Sequence, residues 1–404
     1  IVGGFSVVFE EVIIIGTMLS VLLHTGLTDD DARAGSIALM LWSASGAMLM
    51  AGAGNLLTIF LGLELLSLAL YCLCGIPRLA GARESALKYL ILSSMASGFL
   101  LYGMALLFGA SGSVALSSLL LVPVASKGLF VVGTALFLMG MAFKLSLAPF
   151  HVWAPDVYQG APLAVTAFMS VVTKAGALAV LGRFAYSAVP ANLQVHILLP
   201  VWVLAGLSMI VGNVAALAQT DIKRLLAYSG IAQIGYIVAA FAGTSALGLR
   251  YAIFYFVAYT FMNLGAFSVV ALLSSQTEEG SNLAAFSGLG QRRPVLAAAM
   301  TFFLLALAGL PPTAGFVGKI LILSSSVGAG YVWLAGLLIL GTAISLYAYF
   351  KIIGAMYERS SRAQLTERRL RSPLAWLSVL LCAAAVLAMA FYPLTPSNVL
   401  PIVK

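Results

Sequence analysis

Apolar runs of about 20 residues recur along the whole chain and constrain its fold more than any other feature, since a helix of that length crosses the roughly 30 Å hydrocarbon core of a bilayer. The sequence is 62% hydrophobic and only 8% charged over its 404 residues, and its mean hydropathy is +1.07. This composition excludes an ordinary soluble protein. We therefore predict an all-α polytopic membrane protein that forms a single membrane domain over residues 1–404.

The apolar runs predict twelve membrane-spanning segments. Helices are expected because the bilayer core offers no water to backbone N–H and C=O groups, and a helix pairs these groups within itself. The predicted spans cover residues 5–24, 35–54, 56–76, 83–109, 128–148, 160–187, 196–217, 222–243, 247–273, 294–327, 331–357 and 373–393.

Basic residues separate strongly between the alternate loops that join these spans. Twelve lie in one set of loops and four in the other. Lysine and arginine accumulate on cytoplasmic loops, so the richer set is predicted to face the cytoplasm, with both termini outside. The richer set contains Arg33, Arg78, Arg83, Lys223, Arg224, Arg292, Arg293, Arg359, Arg362, Arg368, Arg369 and Arg371, and the poorer set contains Lys127, Arg183, Arg250 and Lys404.

The net charge of +8 would suggest a nucleic-acid partner in a soluble protein, but membrane topology accounts for it here. The most basic stretch, residues 358–373, is most simply a solvated cytoplasmic loop. A nucleic-acid site or a lipid-headgroup site in this stretch is the less favoured alternative.

Six charged residues remain inside the predicted spans. Each costs about 2.5–3.5 kcal/mol at the bilayer centre, so each needs a partner, a water-filled cavity or a route to the interface. Lys351 is close to the basic loop, and we predict that its ammonium reaches the headgroups. Lys174 lies midway along its helix and has no such route. The six residues are Glu64, Lys88, Lys144, Lys174, Lys319 and Lys351.

Glu64 and Lys88 lie equally far along the chain from the loop between them. Each is twelve residues from position 76, so an antiparallel hairpin places them at similar depth, on the order of 15–18 Å from the cytoplasmic end. A facing acid and base at this depth would form an ion pair. The pattern leaves open whether such a pair is a static strut or a working element.

Two of the spans are interrupted beside a lysine. Lys144 precedes Pro149, and Lys319 follows "GLPPTAGF" (Gly309–Phe316). Proline removes a backbone donor, and non-helical backbone at membrane depth is tolerated only where protein or water covers it. The two breaks therefore predict discontinuous helices that line a hydrated path.

The two interruptions fall in the fifth and the tenth predicted span. If spans two to six and spans seven to eleven form two sets of five, each interruption is in the fourth span of its set. Discontinuous helices in such places are typical of inverted-repeat transporters. We therefore predict two inverted five-helix repeats, over residues 35–187 and 196–357, followed by a C-terminal helix at 373–393.

No motif indicates a cofactor or a metal bound by this chain. The three cysteines, Cys72, Cys74 and Cys382, lack C-x-x-C, iron–sulfur and haem spacings and are predicted to be buried thiols. Gly-rich phosphate loops, H-E-x-x-H and clustered His/Cys sites are missing from the sequence. His151 and Asp156 flank the cytoplasmic end of the first broken helix, where His151 could feed protons inward.

Four stretches closely resemble the N subunits of respiratory complex I, NADH:quinone oxidoreductase, and the resemblance covers nearly the whole chain. The most specific element is "WAPDVYQGAP", because the sister antiporter-like subunits share the P-x-H-x-W-x-P-D core but usually diverge at the "VYQG" step. The four stretches are "APFHVWAPDVYQGAPLAVTAFMSVVTKAGALAVLGRF", "ALKYLILSSMASGFLLYGMAL", "FLGLELLSLALYCL" and "LAGLPPTAGFVGKILIL".

The resemblance implies a proton-translocating, antiporter-like membrane subunit that is driven by redox chemistry in other subunits. FMN, iron–sulfur clusters and quinone would then be held by partner subunits and none of them by this chain. The implied partners are other membrane subunits, including neighbouring antiporter-like subunits and the small K-type subunit, in the plasma (inner) membrane of a bacterium, with no nucleic acid.

The resemblance also implies a role for each of five buried charges. Glu64 and Lys88 would be the paired acid and base of the input half-channel, Lys144 the pump lysine at the broken helix, Lys174 the connecting lysine, and Lys319 the lysine of the second broken helix.

The chain departs from the family pattern in two places. Family members usually have fourteen helices, so we expect that the first two are missing here. Gln233 occupies a place where many relatives carry a histidine. Because glutamine orders water but does not titrate near neutral pH, a proton path through this point would rely more on water.

Three other functions are alternatives to the predicted role in complex I. A homologous subunit of a Mrp-type Na⁺/H⁺ antiporter or of a membrane-bound hydrogenase would use the same lysines with other partners. A purely structural scaffold would use the charges as static struts. An independent solute carrier is disfavoured because no distinct substrate pocket is readable from the sequence.

Overall fold

The computed structural model describes residues 4–25, 30–77, 79–190, 193–243, 246–273, 281–358 and 373–391. Most of the basic stretch at 358–373 therefore lies outside the described residues. The same holds for seven of the loop residues used to predict the orientation, namely Arg78, Arg359, Arg362, Arg368, Arg369, Arg371 and Lys404.

The described residues are mostly α-helical, as the apolar runs predict. Fifteen α-helices are present in the described ranges, and short 3₁₀ turns occupy part of the connection between α4 and α5. The helices are α1 (Gly4–Thr25), α2 (Asp30–Gly52), α3 (Leu56–Gly75), α4 (Ala80–Ser111), α5 (Lys127–Leu145), α6 (Trp153–Gly160), α7 (Leu163–Ser187), α8 (Gln194–Leu217), α9 (Ile222–Ala239), α10 (Ala246–Leu273), α11 (Leu289–Arg292), α12 (Pro294–Ala308), α13 (Ala314–Gly328), α14 (Val332–Tyr357) and α15 (Pro373–Phe391).

Ten of these helices are long and apolar enough to cross a membrane within the described part of the chain. The remaining two predicted spans correspond to α9, which begins with the basic pair Lys223 and Arg224, and to the two short apolar helices α12 and α13. An all-α polytopic membrane protein is therefore confirmed. The predicted relation between two inverted repeats stays a prediction.

Both predicted helix breaks are present. Helix α5 ends at Leu145, and Ser146 follows in the left-handed conformation with φ of 59°. Helix α12 ends at Ala308, and Gly309 follows with φ of 82°, a conformation in which glycine avoids the steric penalty of a Cβ. The chain turns helical again at α6 and α13, and the Thr313 hydroxyl caps α13 by accepting from the Phe316 N–H. Each break lies beside the lysine that the sequence placed there.

Helices α7 and α10 form the centre of the bundle. In the most apolar window of each helix, 94% of the α7 residues and 83% of the α10 residues are buried, against 33% for α15. Helix α7, which carries Lys174, is therefore enclosed by protein on nearly every side. The outer helices pack closely where residues are small: a Cβ on Gly46 of α2 would lie 2.6 Å from the Gly62 carbonyl oxygen of α3.

Two predictions about single residues were wrong. Cys74 and Cys382 are buried, but Cys72 is exposed on the outside of the bundle, because it points away from the face of α3 that packs against the neighbouring helices. Arg183, assigned to a loop, lies inside α7 and donates from Nη2 to the Ala51 carbonyl oxygen at 3.0 Å. The long arginine side chain reaches the end of α2 from within the helix.

Accessibility of single cysteines tests the predicted orientation, with Cys72, Cys74 and Cys382 replaced by alanine. Val124 is 77% exposed in the connection between α4 and α5, and Leu365 belongs to the basic stretch. If basic loops face the cytoplasm, Leu365→Cys reacts with impermeant thiol reagents only from the cytoplasm and Val124→Cys only from outside. Labelling of both cysteines from one side would contradict the orientation and the number of spans between them.

Candidate functional site

Three lysine side chains lie inside the helical bundle, as the sequence predicts. Lys144, Lys174 and Lys319 are 2%, 1% and 4% exposed. Each ammonium also lies over the ring of a tyrosine, which stabilises a cation through the ring quadrupole. The distances from Nζ to the ring centroid are 5.2 Å for Lys144 and Tyr89, 5.8 Å for Lys174 and Tyr259, and 4.9 Å for Lys319 and Tyr236.

Lys144 lies at the end of α5 and donates to two hydroxyl groups. Its Nζ is 2.8 Å from the Ser67 Oγ on α3 and 3.0 Å from the Tyr89 Oη on α4. Ser67 donates in turn to the Leu63 carbonyl oxygen, so its oxygen is free to accept from the ammonium. Three helices thus meet at this charge, and each contributes a side chain to it.

Glu64 lies one turn before Ser67 on α3, within electrostatic range of the Lys144 ammonium. Its Oε1 is buried and makes no hydrogen bond within the described part of the chain. A buried carboxylate oxygen needs a donor or an ordered water. Glu64 therefore faces the Lys144 site with unused capacity to accept a proton or a hydrogen bond.

The predicted ion pair between Glu64 and Lys88 is wrong. The Lys88 Nζ lies 2.7 Å from Glu84 Oε1 and 3.0 Å from Asp156 Oδ2, and 43% of its side chain is exposed. Side chains on a helix point toward the preceding turn, which directs Lys88 to Glu84. The return of the chain as α6 after the break in the fifth span then brings Asp156 to the same ammonium.

Asp156 joins two cations from different helices. One carboxylate oxygen contacts Lys88 of α4, and the other accepts from Arg224 Nη1 of α9 at 2.5 Å. These residues line a cavity of about 260 Å³ together with Glu84 and Ser281. The cavity lies beside the first turns of α4 and α9, which are on the side that the basic loops assign to the cytoplasm.

Lys319 is held by the free end of the broken helix α12. Its Nζ donates to the carbonyl oxygens of Leu307 at 3.1 Å and Ala308 at 2.8 Å. The last carbonyls of a helix lack intrahelical partners and carry the negative end of the helix dipole, so they suit a cation. A Cβ on Gly309 would lie 2.8 Å from the Lys319 Cδ, so a residue without a side chain is needed there.

Gln233 shares one of these carbonyls. Its Nε2 donates to the Leu307 oxygen at 2.9 Å, and its Oε1 accepts from the Tyr255 hydroxyl at 2.5 Å. We expected this glutamine to order water, but both ends of its amide contact protein. Gln233 thus ties Tyr255 of α10 to the carbonyl that also binds Lys319.

Lys174 lies midway along α7. In the sequence, α7 comes after the helix that carries Lys144 and before the helix that carries Lys319. A Cβ on Gly230 of α9 would lie 3.0 Å from the Lys174 Nζ and 2.9 Å from the Tyr259 Oη. The missing side chain at Gly230 is what leaves room for both polar groups in an otherwise apolar core.

The sequence did not single out the tyrosines that contact the lysines. Tyr89, Tyr236 and Tyr259 are each fully buried, although a tyrosine hydroxyl needs a polar partner. A tyrosine within an apolar span therefore predicts a charged or polar neighbour, but it does not identify that neighbour.

Comparison with known proteins identifies the family. The sequence model described as NADH:quinone oxidoreductase/Mrp antiporter, transmembrane, matches residues 53–345. The chain belongs to this family. The NADH-quinone oxidoreductase subunit N 1 of Symbiobacterium thermophilum is 43% identical over 377 residues, which cover 91% of the chain and 76% of that relative.

Two solved structures superpose on nearly the whole chain. A chain of respiratory complex I from Thermus thermophilus with bound aureothin matches with a TM-score of 0.84 and 36% identity, over 97% of this chain and 85% of that one. A chain of an archaeal membrane-bound sulfane sulfur reductase matches with a TM-score of 0.89 and 26% identity, over 98% and 81%. The fold is thus shared with chains of two complexes that are named for different redox chemistry.

Replacement of Gln233 by leucine tests the amide link beside Lys319. Gln233→Leu keeps the size of the side chain but leaves the Tyr255 hydroxyl without its acceptor, which costs about 1–3 kcal/mol. The assembled protein is therefore expected to lose its native state at a lower temperature than the parent. Gln194→Leu is the control, because it makes the same change at the first residue of α8, outside the amide link. Equal thermal stability of both variants would contradict the link.

Proposed function

We propose that this chain is a proton-translocating, antiporter-like membrane subunit of an NADH-quinone oxidoreductase. The observation that carries the proposal is the burial of Lys144, Lys174 and Lys319 in a member of this family, with two of the three lysines beside a helix break. Subunit N relatives at 40–43% identity over most of the chain support the assignment to the N type.

Four buried charges act in sequence in this proposal. Burial penalises the charged form of a lysine, and a nearby carboxylate offsets the penalty. Glu64, which lies within electrostatic range of Lys144, would therefore stabilise a proton on Lys144 while its own carboxylate is charged. Once a proton neutralises Glu64, the proton on Lys144 would be released toward Lys174 and then Lys319. Lys88, which pairs with Glu84 and Asp156, takes no part in this sequence.

The electrons do not pass through this chain in the proposal. FMN, iron–sulfur clusters and quinone belong to partner subunits, and the partners include neighbouring antiporter-like subunits and the small K-type subunit. The membrane in this proposal is a bacterial plasma membrane, and the loops rich in lysine and arginine face the cytoplasm. Repeats over residues 35–187 and 196–357 would supply one broken helix each.

The alternative is a homologous subunit of a Mrp-type antiporter or a membrane-bound hydrogenase. The family description supports the first of these, because it names Mrp antiporters beside NADH:quinone oxidoreductase. Purification of the intact assembly decides between the proposal and this alternative. NADH-oxidising and quinone-binding subunits copurify only if the chain belongs to an NADH-quinone oxidoreductase.

Glu64→Gln tests whether the carboxylate is a working element. The variant keeps the shape of the side chain and deletes its charge, so proton uptake and NADH-quinone turnover in membranes are both expected to fall, while assembly is retained. The Glu64 Oε1 makes no hydrogen bond within the described residues, so the substitution breaks no hydrogen bond at that atom. If the variant complex assembles fully and its rates of proton uptake and NADH-quinone turnover equal those of the parent, Glu64 does not take part in translocation.

Lys319→Arg separates a lysine that exchanges a proton from one that supplies only a positive charge. Arginine is effectively never deprotonated in proteins, and a positioned proton-transfer group typically contributes about 10²–10⁴ in rate. The initial rate of proton translocation in vesicles, measured at an equal amount of assembled complex, should therefore fall by about tenfold or more.

Lys351→Arg is the matched control for this substitution. Lys351 is exposed and donates to the Leu217 carbonyl oxygen at 3.2 Å, which an arginine also reaches. Its translocation should equal that of the parent. Normal translocation by Lys319→Arg would mean that Lys319 passes no proton and that the exit route lies elsewhere.

A further inference from the structure

Tyr158 is a buried tyrosine to which the proposed function gives no part. It belongs to the stretch "WAPDVYQGAP", lies in α6 and is only 1% exposed. Its Oη is buried and makes no hydrogen bond within the described residues. A buried tyrosine hydroxyl usually has a polar partner, and an unpaired one is destabilising. Since a phenylalanine would fill nearly the same volume without this cost, packing alone does not account for the hydroxyl.

On one side, Tyr158 is connected to the surroundings of Lys144. Its ring meets the Trp153 ring edge-on at 6.2 Å, and Trp153 stacks on the Tyr89 ring at 4.9 Å. The Tyr89 Oη accepts from the Lys144 Nζ at 3.0 Å, and Tyr158 lies within electrostatic range of Tyr89. The unpaired hydroxyl is therefore near a hydroxyl that is itself bound to Lys144.

On the other side, Tyr158 is close to the surroundings of Lys174. It lies within electrostatic range of Tyr259, whose ring lies under the Lys174 ammonium at 5.8 Å. The Tyr259 Oη and the Lys174 Nζ lie 2.9 Å and 3.0 Å from one point, the place of a Cβ on Gly230. Tyr158 thus stands between the first and the second buried lysine of the proposed sequence.

The position of Tyr158 is fixed by contacts at the end of α6. The Thr166 Oγ1 of α7 donates to the Tyr158 carbonyl oxygen at 3.0 Å. A Cβ on Gly160 would lie 2.5 Å from the Gly81 carbonyl oxygen of α4, so α6 and α4 touch at their backbones. With α6 held against both α4 and α7, the place of the Tyr158 side chain is set by the fold.

We propose that Tyr158 is a relay residue that passes protons from the Lys144 site to the Lys174 site. The inference rests on the proposed function and deepens it. A hydroxyl both accepts and donates, so the Tyr158 Oη takes a proton from the side of Tyr89 while its own proton leaves toward Tyr259 and Lys174. The tyrosine is neutral before and after each transfer, and one proton enters for each that leaves. Ordered water, which binds buried polar groups that lack a protein partner, completes the hydrogen bonds on both sides.

Tyr158→Phe, measured in the assembled complex in membrane vesicles, tests the relay because it removes only the hydroxyl group. That oxygen makes no hydrogen bond to the described residues, so the amount of assembled complex and its thermal stability are expected to equal those of the parent. The initial rate of proton translocation, at an equal amount of assembled complex, is expected to fall by about tenfold or more.

Tyr331→Phe is the matched control. It makes the same change between α13 and α14, at a tyrosine whose ring packs on Trp202, away from the three lysines. Its rate of proton translocation is expected to equal that of the parent.

Two further measurements separate a relay from an indirect effect. If Tyr158 acts by supplying Lys174, adding Tyr158→Phe to Lys174→Ala slows translocation no further. Loss of the relay also makes the transfer between the two lysines limit the rate, so the ratio of rates in H₂O and D₂O rises in Tyr158→Phe. A merely structural hydroxyl would lower the amount of assembled complex and leave this ratio unchanged.

Three results would overturn the inference: a parental rate in Tyr158→Phe, a loss of assembled complex or of thermal stability in that variant, or an additive loss in the double variant. Glu64→Gln measured in the same vesicles separates this failure from failure of the proposed function. If Glu64→Gln is slow and Tyr158→Phe is parental, only the inference fails. If both variants are parental, the proposed function fails with it.

Discussion

The structure depends on how a helical bundle compensates a buried ammonium. An isolated charge in hydrocarbon costs several kcal/mol, so polar atoms must be supplied from within the protein. Lys319 obtains them from the last carbonyls of α12, and Lys144 obtains them from hydroxyls on two neighbouring helices. The break in α12 is therefore part of the lysine site, because a continuous helix would have used those carbonyls in its own hydrogen bonds.

Small residues are the second requirement of such sites. Gly309 makes room for the stem of Lys319, and Gly230 makes room for the ammonium of Lys174 beside the Tyr259 hydroxyl. Gly230 lies within α9 and is costly there by helix propensity alone. Its presence follows from the volume that a charged side chain and its partners occupy in a close-packed interior.

The sequence predicted the spans, both breaks and the burial of three lysines, because hydropathy and proline act over a few residues at a time. It did not predict the partner of Lys88. The predicted equal depth of Glu64 and Lys88 was wrong, because the contact of Tyr89 with Tyr71 places Lys88 near the end of α3. Asp156 arrives on α6, whose position depends on how the chain returns after the break. The hydrogen bonds of Gln233 were missed for the same reason, since its partners Tyr255 and Leu307 come from α10 and α12.

The two lysines beside the breaks differ in the chemistry of their ligands. A hydroxyl accepts and donates, whereas a backbone carbonyl only accepts. At Lys144 the hydroxyls of Ser67 and Tyr89 have the chemistry to relay a proton. At Lys319 the carbonyls of Leu307 and Ala308 stabilise the charge but cannot relay it. Under the proposed function, proton transfer at the first site would therefore depend on rotation of side chains, and at the second on the supply of water, which osmotic dehydration would limit.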